Sequence, residues 1–159
     1  MKTLAAIALG SNLDSPYGDR EANLCEALRR LGVLGEVRAV SSFHETEPVG
    51  YVDQPKFLNA AALLDTVLDP KELMRGLLGI ERAMGREREG VGVVAKGPRV
   101  IDLDLLLYGD RVMSTAELTL PHPAMHERQF VLAPLAEIGG EIRHPVLKQT
   151  ITEMLQQLG

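Results

Sequence analysis

The order of apolar patterns along the chain constrains its fold more than any other feature. A nearly continuous apolar run from Lys2 to Leu9 predicts a buried strand, and leucines at helical spacing follow it. The helix is predicted to begin at Ser15-Pro16, because serine suits the N-cap and proline suits the first helical position. Gly32 is a typical helix end. The first part of the chain is therefore predicted to form one strand and one helix.

The middle of the chain predicts three more strands and a second helix. The runs Val37 to His44 and Phe57 to Leu64 are typical of strands, and the polar connection between them is too long for a tight hairpin. Asp69-Pro70 repeats the cap-and-proline start, and an apolar helical stripe continues from it to Gly85. Val100 to Tyr108 then predicts a further strand.

The resulting order is strand, helix, strand, strand, helix, strand, as in the split βαβ arrangement of ferredoxin-like domains. We therefore predict an α+β fold with a βαββαβ core, in which helices pack on an antiparallel sheet. A chain of 159 residues suits one sizeable core, so residues 1–159 are expected to form a single domain. A C-terminal extension is expected to end in a short helix whose apolar face is Leu147, Ile151, Met154, Leu155 and Leu158.

Charge and composition exclude several classes of function. The net charge of -5 argues against a general nucleic-acid-binding protein, which usually carries a basic face. The apolar stretches are shorter than the ~20 residues of a membrane-spanning helix, and no secretory signal opens the chain, so we expect a cytoplasmic protein. Cys25 lies among apolar residues of the first predicted helix and is expected in the core. A monomer is the default expectation.

Asp102 and Asp104 are the leading candidates for functional residues. They lie two apart on a predicted strand, in the segment RVIDLDLLLYG, so their side chains project from the same face. Two close carboxylates repel each other, and removing them from water is costly unless a cation compensates. Magnesium commonly uses one or two carboxylates together with waters and substrate phosphates, so the pair predicts a magnesium site. The alternative is a solvated strand end at which both aspartates face bulk water.

Candidate phosphate-binding residues surround this strand in the sequence. Arg99 lies just before the aspartates, where its guanidinium suits either phosphate oxygens or an ion pair. His122, in LTLPHP, and Arg128 are further candidate donors, although a histidine between two prolines also suits loop packing. His122 and His126 have a helical zinc spacing, but Pro123 and the missing third ligand argue against zinc.

Phe57 and Asn59 share one face of a predicted strand. Such a pair can stack a flat heterocycle and hydrogen-bond its edge, although Phe57 also suits a role in the core. Gly10-Ser11-Asn12 follows the first strand but matches neither GxxxxGK[ST] nor GxGxxG, so it is interpreted as a structural turn.

Five segments together resemble the ordered motif series of the 6-hydroxymethyl-7,8-dihydropterin pyrophosphokinases of folate biosynthesis. These segments are ALGSNL, SSFHETEPVG, DQPKFLNAA, GPRVIDLDLLLYG and LTLPHPAMHERQFVLAPL, and they span nearly the whole chain. The last two are highly specific in combination, whereas ALGSNL alone would be weak. The resemblance implies transfer of the terminal pyrophosphoryl group of ATP to the hydroxymethyl oxygen of the reduced pterin, with release of AMP and without a phosphoenzyme.

The resemblance also implies roles for individual residues in the nucleotide site. Asp102 and Asp104 would hold two Mg²⁺ ions that bridge the ATP phosphates. The positions that match nucleotide-binding or phosphate-binding residues of the family are Glu81, Arg99, Thr119, His122 and Arg128.

By the same resemblance, the pterin would lie between Phe57 and Phe130. Asn59 and the backbone near Thr46 and Val49 would then contact its polar edge.

The segment 86–97 resembles the family's mobile catalytic loop, which would close over ATP and exclude water. Arg88 would be a phosphate or lid arginine in this loop, whereas Lys96 replaces a tryptophan that some members carry. Two other functions stay open at this point. Another magnesium-dependent phosphoryl or nucleotidyl transferase would not need the Phe57, Asn59 and Phe130 set. A nonenzymatic ligand-binding domain would leave the aspartate pair unexplained.

Overall fold

An antiparallel sheet with helices on both faces makes up the described part of the chain, residues 1–47, 55–85 and 100–159 of a computed structural model. The strands are β1 (Thr3–Ser11), β2 (Glu36–Val40), β3 (His44–Thr46), β4 (Phe57–Thr66), β5 (Asp102–Tyr108), β6 (Met113–Ser114) and β7 (Thr119–Leu120). The helices are α1 (Arg20–Leu31), α2 (Pro70–Ala83), α3 (Gln129–Gly139) and α4 (Ile151–Leu158), with a 3-10 turn at Met125–Glu127.

The main sheet has the strand order β2-β4-β1-β5, and each neighbouring pair is antiparallel. β4 therefore lies between the mutually parallel β1 and β2, which is the split βαβ arrangement, so the predicted α+β fold is confirmed. The single strand predicted from Val37 to His44 is wrong, because this stretch is divided between β2 and β3. Ser41 lies between the two strands, and its hydroxyl accepts a hydrogen bond from the Ala61 backbone N–H at 2.8 Å.

The ends of the first two helices test the capping predictions. The predicted start of α1 at Ser15 is wrong, because the helix begins at Arg20 and the Asp19 side chain accepts from the Ala22 N–H. A carboxylate suits this position because it is also favoured by the positive end of the helix dipole. Ser15 instead closes a turn with Gly18 through two backbone hydrogen bonds. The Asp69 start of α2 is confirmed by a complete capping box with Glu72.

Alternating side chains of the central strands supply two apolar cores, one on each face of the sheet. Ile7 and Leu9 of β1 belong to the core that α1 and α2 cover, whereas Ala6 belongs to the core that α3 and α4 cover. Cys25 is exposed, so its predicted place in the core is wrong. It follows the buried Leu24 by one residue, and a step of one residue turns a side chain away from the apolar stripe of a helix.

The C-terminal extension contains one more helix than was predicted. α3 continues through Pro134 and was not recognised as a helix, because its largely apolar sequence lacks a clear amphipathic stripe. α4 buries Ile151 and Met154 as expected, but Leu147 lies before the helix and is exposed. Within the described ranges, no helix has the length and apolar character needed to cross a membrane.

His144 organises the turn that precedes α4. Its Nδ1 accepts hydrogen bonds from the backbone N–H groups of Val146 (3.2 Å) and Leu147 (3.0 Å), and the residue is buried. Burial, together with the nearby His126, lowers the pKa of His144 from its ordinary value of 6.5. A protonated Nδ1 cannot accept these hydrogen bonds, so the imidazole is neutral in the folded chain.

We expect this histidine to make folding stability depend on pH. Below its ordinary pKa of 6.5 the unfolded chain binds a proton that the folded chain does not, so the free energy of unfolding should fall as pH decreases. His144→Asn keeps an acceptor in the same turn without a titrating group. Urea unfolding at pH 7.5 and pH 5 should show a smaller pH-dependent loss in the variant. An equal loss in both proteins would contradict this role.

Candidate active site

The two aspartates lie on the same face of β5, as predicted. In the register with β1, Asp102 is opposite Gly10 and Asp104 is opposite Ala8. Both aspartates are half-buried and belong to the sheet face on which α3 and α4 pack farther along. The β1 residues beside the carboxylates are therefore small, because glycine has no side chain and alanine only a methyl group.

Phe57 and Asn59 lie on that same face, on the other side of β1. Gly10 is paired with Asn59 on β4 as well as with Asp102 on β5, so one row across the sheet joins the amide to the carboxylate. Two strand spacings separate Asn59 from Asp102, which is about 10 Å. This distance allows a flat heterocycle to bind at the Phe57 end while phosphate groups reach the aspartates.

The Asn59 side chain is held in one orientation. The residue is only 7% exposed, and its Nδ2 donates a hydrogen bond to Oγ1 of Thr46 on the neighbouring β3. β3 also pairs Thr46 directly with Phe57, so three of the predicted pterin-binding residues are adjacent. The sequence predicted only a backbone role for Thr46, whereas its hydroxyl also fixes the Asn59 amide.

Gly10 is a site residue that the sequence interpretation missed. It lies within β1 and not in a turn, and a Cβ atom added to it would be 3.0 Å from Asn59 Oδ1 and 3.6 Å from Phe57 Cδ1. A glycine inside a strand often marks such a close approach, and this signal was available in the sequence. The predicted turn at Gly10-Ser11-Asn12 is wrong, because β1 continues to Ser11, and the Asn12 Nδ2 donates to the distant Pro55 carbonyl at 3.0 Å.

His122 lies beside β5, near enough to both Asp102 and Arg128 for their charges to act on it. The His122 N–H donates to the Leu106 carbonyl at 2.9 Å, and its Nδ1 accepts from the Ala124 N–H at 3.2 Å. Burial and the positive charge of Arg128 lower the pKa of His122, while Asp102 opposes that change. The imidazole is therefore neutral near pH 7, with its proton on Nε2.

Arg128 lies at the start of α3, with Cζ 5.7 Å from the centre of the Phe130 ring. This is a cation–π distance, so a predicted phosphate-binding residue packs on a predicted pterin-binding ring. Thr119 is half-buried in β7, which packs beside β5. Val49, Arg88, Arg99 and the 86–97 loop with Lys96 lie outside the described residues.

Glu81 supports β5 from the opposite face of the sheet. It is 2% exposed, and its Oε2 accepts the backbone N–H of Leu103, the residue between the two aspartates, at 2.7 Å. This hydrogen bond fixes the backbone that carries both carboxylates. A direct contact between Glu81 and the nucleotide stays a prediction.

The Glu81 hydrogen bond can be isolated by comparing two neutral variants. Glu81→Gln keeps a carbonyl acceptor for the Leu103 N–H, whereas Glu81→Leu removes it and leaves that N–H buried. We expect the free energy of unfolding of the leucine variant to be about 1–3 kcal/mol lower than that of the glutamine variant. Urea titration measures this difference, and equal midpoints for the two variants would contradict the role.

The aspartate pair suits Mg²⁺ bound together with a nucleotide. Among residues 1–47, 55–85 and 100–159, no group of three or more His, Cys, Asp or Glu side chains can hold a metal ion. Two carboxylates are what a magnesium ion commonly takes from a protein when waters and phosphates supply the other ligands. His122 and His126 do not share an α-helix, so the helical zinc spacing has no structural basis.

Comparisons with known proteins identify the family of the chain. Residues 6–140 match the family model described as 7,8-dihydro-6-hydroxymethylpterin-pyrophosphokinase (HPPK). A Bacillus subtilis protein named 2-amino-4-hydroxy-6-hydroxymethyldihydropteridine pyrophosphokinase is 49% identical over 140 residues, which cover 87% of this chain and 79% of that protein. A Haemophilus influenzae protein of the same name is 41% identical over 155 residues, covering 96% and 91% of the two chains.

Longer proteins contain a region similar to the whole chain. The folic acid synthesis protein fol1 of Schizosaccharomyces pombe is 39% identical over 157 residues, which are 98% of this chain but 20% of that protein. A crystal structure of Plasmodium falciparum HPPK-DHPS with pteroate has a TM-score of 0.75 at 16% identity, with 99% of this chain and 42% of that chain covered. At that identity the structure supports the fold alone. The family model and the two bacterial relatives match most of the chain by sequence and therefore show the family as well as the fold. This chain belongs to the 7,8-dihydro-6-hydroxymethylpterin-pyrophosphokinase family.

Proposed function

We propose that the chain transfers the terminal pyrophosphoryl group of ATP to the hydroxymethyl oxygen of 6-hydroxymethyl-7,8-dihydropterin, in folate biosynthesis. The products are AMP and the pterin diphosphate. One observation carries the proposal: a single row across the sheet joins Asn59, Gly10 and Asp102. This row gives the heterocycle and the phosphate groups separate positions on one face of the sheet.

The pterin ring binds at the β4 end of the site. Phe57 and Phe130 stack on its two faces, and the Asn59 amide hydrogen-bonds its edge. Thr46 holds that amide in place, so little side-chain freedom is lost when the ring binds. The backbone near Thr46 and Val49 completes the polar contacts.

ATP binds at the β5 end of the site. Asp102 and Asp104 hold two Mg²⁺ ions, and Arg99, His122 and Arg128 contact the phosphate groups. When bound, Mg²⁺ neutralises charge on the phosphate oxygens and makes the β-phosphorus more electrophilic. Glu81 keeps the β5 backbone in place, and Thr119 contributes to the nucleotide site.

The reaction is a direct displacement that needs alignment more than a protein nucleophile. A bond forms between the hydroxymethyl oxygen and the β-phosphorus, and the bond from that phosphorus to the oxygen it shares with the α-phosphate breaks. AMP leaves with this oxygen, and the proton of the pterin hydroxyl is released to the solvent. Arg99, Arg128 and the neutral His122 stabilise the negative charge that develops on the leaving AMP. Arg88 and the 86–97 loop exclude water during the transfer.

The proposal is tested by supplying the protein with Mg²⁺, ATP and 6-hydroxymethyl-7,8-dihydropterin and measuring AMP. AMP should form only when the pterin is present. ADP formation would indicate a simple phosphoryl transferase, and AMP that forms without pterin would indicate ATP hydrolysis. Binding of ATP or pterin without turnover would favour a nonenzymatic ligand-binding domain. We also propose, as the default for a chain of this size, that the active form is a monomer.

A further inference from the structure

A cluster of polar side chains joins α3 to the connection between β2 and β3, outside the residues assigned to the reaction. Oε1 of Glu137, on α3, accepts the Ser42 backbone N–H at 2.7 Å, and both carboxylate oxygens accept from the Ser42 hydroxyl, at 2.9 and 2.8 Å. His44 Nε2 lies 2.6 Å from Oε2 of the same carboxylate. We call this cluster of Ser42, His44 and Glu137 the α3–β3 clamp.

The carboxylate of the clamp is built to stay ionised. The Ser42 backbone N–H lowers the pKa of Glu137 most, and the Ser42 hydroxyl and His44 lower it further. Glu137 lies more than 90 positions after Ser42 and His44 in the chain, so the contact fixes a tertiary arrangement and not a local turn. The adjacent Ser41 is hydrogen-bonded to Ala61 through both its backbone and its hydroxyl. The clamp therefore holds α3 to a segment that is itself fixed to the centre of β4.

Each half of the clamp leads to one wall of the proposed pterin site. His44 begins β3 and pairs with Asn59, and two residues later Thr46 pairs with Phe57. On the other half, Glu137 follows Phe130 by seven residues on α3, which places both on one face of the helix, about 10 Å apart. Movement of α3 relative to β3 would therefore change the separation of Phe57 and Phe130.

We propose that Glu137 is a positioning residue that sets the width of the pterin slot by holding α3 against β3. This inference rests on the proposed function, because it assigns the clamp to the pterin and not to ATP. The aspartates are on β5, whereas the clamp residues are on α3, on β3 and on the connection before β3, so the clamp should act on one substrate selectively. If α3 moves away from β3, the pterin is held less accurately between Phe57 and Phe130. A small error in its placement is expected to have a large effect on the kinetics with the pterin.

The test is a steady-state comparison of AMP formation by the wild type, Glu137→Ala and Glu137→Gln. Glu137→Ala should raise the KM for the pterin about tenfold while the KM for ATP changes by less than about twofold. Glu137→Gln keeps an acceptor for Ser42 and should restore the pterin KM to within about twofold of the wild type. Glu137→Asp, which retains the charge but shortens the side chain, should shift the pterin KM in the same direction as alanine.

Glu26 provides a matched control on the other face of the sheet. It is also a surface carboxylate with a lowered pKa, and Arg29 and Arg30 donate to it. Glu26→Ala should leave both KM values unchanged. The clamp proposal is overturned if Glu137→Ala and Glu137→Asp leave the pterin KM unchanged, or if the two KM values rise together. A wild type that forms no pterin-dependent AMP instead rejects the proposed function, and the clamp proposal with it.

Discussion

Replacing Asp102 or Asp104 with asparagine should lower kcat/KM for AMP formation by about a thousandfold or more, which corresponds to about 4 kcal/mol of transition-state stabilisation. Asparagine has nearly the same shape as aspartate but cannot supply the negative charge that holds a cation beside ATP. Asparagine keeps the size of the side chain, and the paired positions on β1 are the small residues Gly10 and Ala8, so the substitutions should leave the strand packing intact.

Asp110→Asn is the control for this prediction. Asp110 is exposed just beyond the end of β5, so its replacement removes the same charge without touching the site. The control should retain wild-type activity, and all three variants should unfold within about 1 kcal/mol of the wild type. Near-native turnover by Asp102→Asn and Asp104→Asn would remove the proposed metal role.

Replacing Asn59 with alanine should lower kcat/KM for the pterin about a hundredfold, with the KM for ATP within about twofold of the wild type. The amide is buried and held by Thr46, so a bound ring loses a preorganised hydrogen-bonding partner. The measurement is the rate of AMP formation while each substrate is varied in turn.

Thr46→Val separates the placement of the amide from its presence. This variant removes the hydroxyl that accepts from Asn59 Nδ2 but keeps the amide and the size of the side chain. Its effect on the pterin should have the same direction as that of Asn59→Ala and be smaller. Equal losses for the pterin and ATP in Asn59→Ala would show that the residue supports the fold and does not recognise the pterin.

Local patterns were sufficient to predict the parts of the fold that depend on near neighbours. The two-residue period of strands placed Asp102 with Asp104 and Phe57 with Asn59 on their shared faces. The capping box at Asp69 located the start of α2 for the same reason, since its partner is three residues away. Contacts of this kind can be predicted from the local sequence, because both partners lie within a few residues of each other.

The errors arose where distant residues decide the structure. The break between β2 and β3 depends on Ser41 bonding to Ala61, which lies 20 residues away. The Glu81 contact with Leu103 spans 22 residues, and no local pattern indicates that a helix carboxylate will hold a strand. Gly10 was interpreted as a turn because its close neighbour Asn59 comes from another strand.

The resemblance to a family carried information that the physical patterns did not contain. Two carboxylates on one face indicate a cation, but they do not distinguish pyrophosphoryl transfer from other nucleotide chemistry. The structure adds that Asn59 and Asp102 lie in the same row across the sheet, with Gly10 between them. Two different ligand groups can therefore meet on one face.

The most direct test of the central claim is to follow the phosphorus atoms of ATP by ³¹P NMR during turnover with 6-hydroxymethyl-7,8-dihydropterin and Mg²⁺. We expect the β- and γ-phosphorus atoms to move together onto the pterin as a coupled diphosphate, with one AMP formed for each product. A pterin monophosphate with ADP, or AMP with free pyrophosphate and unchanged pterin, would contradict it.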